Sequence, residues 1–212
     1  MRGTRIWFLR HGEVEGRYLG TFLGTTDARL SPLGRHQAEA IKEYLREAPL
    51  EAILSSPRMR SRETIAPLAH ELGLKVEVRP HLAEMDFGRW EAKPWSEIES
   101  LDPDFARQWT TDPATIPCPG GESCDVFFDR VCSEVGRIEE EFRGRTIAIA
   151  SHAGTNRCIL GRTLSIPYLG AMRIAQDYGC LNAVGWGEEG SGQVALVNFV
   201  PGPRSAAESY TR

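Results

Sequence analysis

The chain has 212 residues, 25 Lys+Arg against 29 Asp+Glu, a formal net charge of −4 and 41% hydrophobic residues. That balance is ordinary for a soluble globular domain and supplies no basic block for nucleic acid or an anionic membrane. No apolar run approaches the roughly 20 residues that cross a bilayer, and the apolar stretch near the amino terminus is too short for a signal peptide, so a cytoplasmic protein is expected.

Residues 4–9, TRIWFL, read as a first strand, and 31–48 as a helix opened by the cap Ser31 with Pro32 behind it. A short strand at 51–56, a helix over 59–72 stopped by Gly73 and a third strand at 75–78 follow. Residues 80–120 are irregular and rich in Pro and Trp, with a helix expected near 95–109, and 121–142 reads as a long amphipathic helix. The fully apolar TIAIAS (146–151) suits a central parallel strand, and NRCILGRTL begins another helix. Two closing strands, 180–187 and 193–199, flank the turn EEGSG as a hairpin, and the tail 201–212 reads as loose. Strands alternating with helices predict an α/β fold with a mostly parallel sheet covered on both faces. The expectation is one domain over 1–200, with a cap inserted at about 80–120.

In an open parallel sheet, ligands collect at the carboxyl ends of the strands. Arg10-His11-Gly12-Glu13 follows the first strand, Ser55-Ser56-Pro57-Arg58-Met59-Arg60 the second, Glu84 lies past the third, and Ser151-His152-Ala153-Gly154 ends the 146–151 strand. Two imidazoles, at least two guanidiniums and a carboxylate are therefore expected at one edge. Arginine forks match phosphate oxygens, a neutral imidazole can attack phosphorus, and a carboxylic acid can protonate a departing alcohol. These parts suffice for phosphoryl transfer without a metal or other cofactor. A metal held by His11, Glu13, Glu84 and His152 would be repelled by the arginines, and no G-x-S-x-G elbow supports a serine nucleophile. The cysteines at 118, 124, 132, 158 and 180 are odd in number and none forms a CxxC pair, so neither a disulfide framework nor zinc is suggested.

LRHGE (9–13), SSPRMRSRET (55–64), LAEMDFGRWE (82–91), PGGES (119–123) and SHAG (151–154) together resemble the histidine phosphatase superfamily, the phosphoglycerate mutase-like group. The resemblance runs from about 4 to 187 and implies a three-layer α/β/α sandwich with a small cap over the site. It implies His11 as the nucleophile that becomes phosphorylated, Arg10, Arg60 and His152 as phosphoryl ligands, and Glu84 as the proton donor. The chain departs from the family's asparagine-bearing pattern at Val14 and Arg17, and carries Ala153 where glycine is common.

RHGEV followed by YLGTFLGTTDARLSPLG is similar to the α-ribazole phosphatase branch, and residues 91–118 resemble the shorter phosphatase cap rather than a mutase lid. A phosphomonoesterase acting on a small phosphorylated metabolite is the reading taken. A phosphoglycerate mutase and a non-catalytic phospholigand-binding module stand as alternatives, and a homodimer is left open. Arg17, Tyr18 and Phe22 are specificity candidates, while Trp90, Trp95, Phe105 and Trp109 are expected mainly to hold the cap on the sheet. Glu13 reads as a supporting residue, and Arg58, Arg62, His36, His70 and His81 as surface groups.

Overall fold

The alternation of apolar residues in the first strand sets the layering. The computed structural model describes residues 3–187 and 192–203. Its first half runs β1 (Thr4–Arg10), α1 (Pro32–Leu45), β2 (Ala52–Ser55), α2 (Met59–Leu72) and β3 (Val76–Val78). Then come α3 (Trp95–Leu101), α4 (Pro103–Thr111), α5 (Cys124–Glu141) and β4 (Thr146–Ser151). The last part is α6 (Ala153–Leu164), α7 (Tyr168–Ala171), β5 (Leu181–Trp186) and β6 (Gly192–Phe199).

Successive strand side chains face opposite ways, so one strand can serve two cores. In β1, Ile6 and Phe8 enter one core while Leu9 enters another. In β4, Ile147 and Ile149 join the first, Ala148 and Ala150 the second. Phe127, Val131, Val135 and Ile138 of α5, with Ile159 and Leu160 of α6, cover the first face. Ile41 and Leu45 of α1, with Ile65 and Leu68 of α2, cover the second. The result is the three-layer α/β/α sandwich. Truncating one of these buried leucines, isoleucines or phenylalanines to alanine costs about 2–5 kcal/mol.

The sheet order is β3-β2-β4-β1-β5-β6. β1 pairs parallel with β4, and β2 parallel with both β3 and β4, while β5 runs antiparallel to β1 and to β6. The carboxyl ends of four strands therefore open on one edge. The expected turn at 188–192 lies outside the described residues except for Gly192, as does most of the tail. The tail's first residues are tied down, because Gln37 Nε2 donates to the Pro203 carbonyl at 2.9 Å.

Local chemistry sets the helix ends. Ser31 Oγ accepts from Gly34 N at 3.0 Å, with proline in the first turn of α1. α2 stops at Gly73, whose φ of 62° is the left-handed conformation that glycine adopts without a steric penalty. The single helix expected near 95–109 is instead two. Asp102 precedes Pro103, a position where the α conformation is disfavoured. It takes φ −148°, ending α3 and capping α4 through its side chain. The long helix begins at Cys124 rather than 121, because Ser123 is its cap.

Candidate active site

The register of β1 against β4 places Arg10 opposite Ser151, so the next residues, His11 and His152, leave the sheet side by side. His11 N donates to the Ser151 carbonyl at 3.0 Å, and the two imidazoles meet edge to face with centroids 5.3 Å apart. On the far side of β4, Ser56 N donates to the Ala150 carbonyl at 2.8 Å, which sets Ser56 beside His152. The strand pairing alone thus brings three distant segments together.

A hydrogen bond selects the tautomer of His11. His11 Nδ1 lies 2.8 Å from the Gly12 carbonyl, which can only accept, so Nδ1 carries the proton and Nε2 keeps its lone pair. Ser56 Oγ accepts from Arg58 N and lies 2.7 Å from His152 Nε2. Ser61 Oγ lies 3.4 Å from the same nitrogen, so two hydroxyls of α2 and the loop before it fix the orientation of the His152 ring. Burial drives the pKa of His11 well below its usual 6.5, and the charges of Arg60 and Arg10 add to the effect against the Gly12 carbonyl. Burial likewise lowers His152, helped by Arg60 and by His11. Both rings are neutral near pH 7.

The two arginines are held differently. Arg10 Nη1 donates to the Gln176 carbonyl at 2.6 Å, and its guanidinium carbon lies 3.6 Å from the centroid of the Tyr178 ring. Arg60 is fully buried, and its Nη atoms donate to the carbonyls of Leu23, Gly24 and Thr26 at 3.0, 2.9 and 2.8 Å. Burial lowers its pKa to about 10, against the opposing charge of Glu84, so it stays cationic at neutrality. Arg60 Nε and His152 Nδ1 are buried without a partner among the described residues. A buried polar atom left unpaired costs about 1–3 kcal/mol.

Glu84 stands on the opposite wall. Its Oε1 accepts from Met85 N at 3.0 Å and its Oε2 from Gly154 N at 2.9 Å, at the start of α6. A Cβ at position 154 would collide with Glu84 Oε1, so any other residue there would displace the Glu84 carboxyl. The loop bearing Glu84 is clamped by Arg130 of α5, which donates to the His81 and Ala83 carbonyls at 2.9 and 3.2 Å. Arg130 also makes two 2.8 Å bonds to Glu122 of the PGGES segment, and Glu122 accepts from Asp86 N at 3.0 Å. Burial opposes ionisation of Glu122, but these partners hold its pKa below the ordinary value.

Arg10, His11, Phe22 and Glu84 line one cleft of about 270 Å³, whereas Arg60 and His152 lie behind it with no exposed surface. Arg17 and Tyr18 do not line it. The Arg17 side chain is 72% exposed, donates to Glu15 at 3.1 Å and lies over the Tyr18 ring. Glu13 accepts from Ser31 Oγ at 2.7 Å, a supporting position at the start of α1. Arg58, expected at the surface, is half-buried.

Several neighbours brace these groups. Thr64 Oγ1 accepts from Gly12 N at 2.9 Å and donates to the Arg60 carbonyl at 2.7 Å, linking the His11 loop to α2. Glu91 accepts from Gly24, Thr25, Thr26 and Phe87 amides at 2.7–3.3 Å and so shapes the loop that holds Arg60. Burial opposes that charge, yet these bonds keep Glu91 below the usual carboxylate range. Ser151, Asn156, Gln176 and Asn182 form a buried chain of amide bonds of 2.6–2.9 Å behind Arg10. Tyr168, Arg157 and Met172 complete the far wall. Among the described residues no group of three or more His, Cys, Asp or Glu could hold a metal. Burial pushes the Cys124 thiol at the cleft up to about 11, which keeps it protonated. No helix among the described residues is long and apolar enough to cross a membrane.

A family model, the histidine phosphatase superfamily (branch 1), matches residues 6–199. An acid phosphatase of Mycobacterium tuberculosis is 33% identical over 210 residues, covering 98% of each chain. The adenosylcobalamin/α-ribazole phosphatase of Salmonella typhimurium is 28% identical over 180 residues, 85% of this chain and 89% of that one. In fold, the chain is similar to the α-ribazole phosphatase of Shigella flexneri, with a TM-score of 0.86, 24% identity and coverage of 95% and 99%. The chain spans about half the length, 54%, of mycobacterial relatives that are 33% identical to it.

Proposed function

We infer the activity from one premise: the chain belongs to branch 1 of the histidine phosphatase superfamily. It is read as a phosphomonoesterase that works through a phosphohistidine on His11, with hydrolysis rather than isomerisation as its reaction. One observation carries this reading. His11 presents a neutral ring whose Nδ1 is committed to the Gly12 carbonyl, in the same cleft as a carboxyl held by two backbone amides.

The steps follow from that arrangement. The phosphoryl group enters beside Arg10 and His11, with the buried Arg60 guanidinium offsetting its charge from behind the cleft wall and His152 packed against His11. His11 Nε2 attacks phosphorus; the N–P bond forms as the P–O bond to the leaving alcohol breaks. Glu84 gives its proton to the departing oxygen, then takes one from a water that attacks phosphorus and returns His11 to its free state. The guanidiniums neutralise charge spread over the equatorial oxygens, and they need no reorganisation because carbonyls already hold them.

The wider reading is a single domain acting in the cytoplasm, with 80–120 as its cap and small phosphomonoesters as partners. Two cores sharing one sheet support the first part. The net charge of −4 disfavours nucleic acid and anionic membrane as partners. α-Ribazole 5′-phosphate is one substrate this family membership suggests, by way of the Salmonella relative.

The test is a quench. Brief mixing with labelled phosphoester should leave a label on protein that survives base and is lost in acid, and His11→Ala should abolish it while lowering turnover of p-nitrophenyl phosphate by about 10⁴-fold or more. A His11→Ala protein with full turnover overturns the assignment. Isomerisation of 3-phosphoglycerate, primed with the bisphosphate, that outruns phosphate release would make the enzyme a mutase.

A further inference from the structure

We propose that Gln176 is a positioning residue for Arg10: its side-chain amide fixes the loop that presents a carbonyl to the guanidinium, and so sets where the phosphoryl group is received. This rests on the phosphatase reading and gives that site a support behind its wall.

The loop that holds Arg10 has no ladder of its own. Residues 175–177 belong to neither helix nor strand, yet the Gln176 carbonyl accepts from Arg10 Nη1 at 2.6 Å. Two residues on, the Tyr178 ring has its centroid 3.6 Å from the guanidinium carbon, so one short loop meets Arg10 with a carbonyl and an aromatic face. A carbonyl in irregular backbone keeps its place only if other bonds fix that backbone.

The Gln176 side chain, 3% exposed, supplies such bonds. Its Nε2 donates to the Ala175 carbonyl at 2.9 Å and to Asn182 Oδ1 at 2.8 Å. Its Oε1 accepts from Asn156 Nδ2 at 2.8 Å and from Asn182 Nδ2 at 2.9 Å. Both amide hydrogens and both lone pairs are thereby used. Asn182 belongs to β5 and Asn156 to α6, and Asn156 Oδ1 accepts from Ser151 Oγ at 2.6 Å, one residue before His152. Asn198 of β6 closes the set: its N donates to Asn182 Oδ1 at 2.9 Å and its Oδ1 accepts from Asp177 N at 2.7 Å. A fully bonded buried amide network rigidifies, where an apolar side chain would only fill the space.

A double-mutant cycle separates placement of Arg10 from general support of the fold. Gln176→Met keeps the length of the side chain and removes the bonds of its amide. It should raise the inhibition constant of inorganic phosphate, and lower kcat/KM for p-nitrophenyl phosphate, by about tenfold or more, as when a ligating group drifts from its place. In an Arg10→Met background the same change should cost less than about twofold, because the guanidinium it places is gone. Equal losses in both backgrounds, the additivity expected of a merely structural residue, overturn the positioning role and leave the phosphatase reading intact. Because Gln176→Met leaves Asn156 and Asn182 underbonded and can fail to fold, Asn198→Gly is a gentler probe. Glycine accepts the φ of 53° at that position, while the bond to Asp177 N is lost. This variant should raise the phosphate inhibition constant by about two- to threefold beside Arg10 and leave it unchanged in Arg10→Met; the same rise in both overturns the proposal. An Arg10→Met protein as active as the wild type overturns it through Arg10 itself. Failure of the phosphatase reading shows differently, as no turnover of any phosphoester by the wild type.

Discussion

The floor of the cleft and its cap are built by different physics. On the floor, backbone geometry does the placing: β1 and β4 deliver His11 and His152, and carbonyls of the 23–26 loop and of Gln176 hold the guanidiniums. In the cap, side chains hold one another. Phe22, Phe87, Trp90, Trp95, Phe105 and Trp109 pack ring to ring with centroids 5.0–6.3 Å apart. Hydrogen-bonded backbone fixes a reacting atom within a fraction of an ångström, whereas packed rings exclude water and can be re-cut to suit another leaving group. On the proposed reading, chemistry and specificity are separated in space.

If that separation is real, floor and cap changes should report on different kinetic constants. The largest effect is expected at Glu84. Glu84→Gln should lower kcat for an alkyl ester such as glycerol 3-phosphate by about 10²–10⁴-fold, and less for p-nitrophenyl phosphate, whose leaving group needs little help from a proton. Equal losses on both esters would remove the proton-donor role.

A cap change should act on binding and stability instead. Trp90 is 4% exposed at the centre of the ring cluster, so Trp90→Ala should destabilise by about 3–5 kcal/mol in urea unfolding and raise KM more than it lowers kcat. A kcat loss as large as that of Glu84→Gln would erase the distinction between the two regions.

The smallest effect is a pH dependence that belongs to the floor. His11 and His152 have folded-state pKa values below the unfolded 6.5, so the unfolded chain binds more protons once the pH drops near 6.5. Stability should be flat above that value and fall by up to about 1.4 kcal/mol per pH unit for each histidine below it, until the lowered folded values are reached. Thermal melts at pH 7.5 and 5.5 check this, with His152→Gln expected to show a shallower slope. A midpoint that rises on acidification would contradict the neutral, buried assignment of the pair.

Much of this molecule was legible along the chain because its signals are local. Ser31-Pro32 starts α1, Gly73 ends α2, and TIAIAS forms β4 where a fully apolar run belongs in a covered sheet. His11, Glu84 and Arg10 stand out because polar groups after strands violate the apolar pattern around them. The break at Asp102 is signalled by the proline after it, against the helical apolar spacing on either side.

What the sequence determined by itself was the set of elements, their caps and the reactive side chains at their ends, since each depends on neighbours a few residues away. Tertiary structure alone decided the rest. Whether Arg10 faces Ser151 is a matter of register, whether Arg60 meets three carbonyls depends on a loop folded by Glu91, and whether Arg17 or Arg157 reaches the cleft depends on which face of which element turns inward. Those outcomes come from burial and hydrogen-bond satisfaction among segments more than a hundred residues apart in places, as between His11 and His152, and no local pattern encodes them.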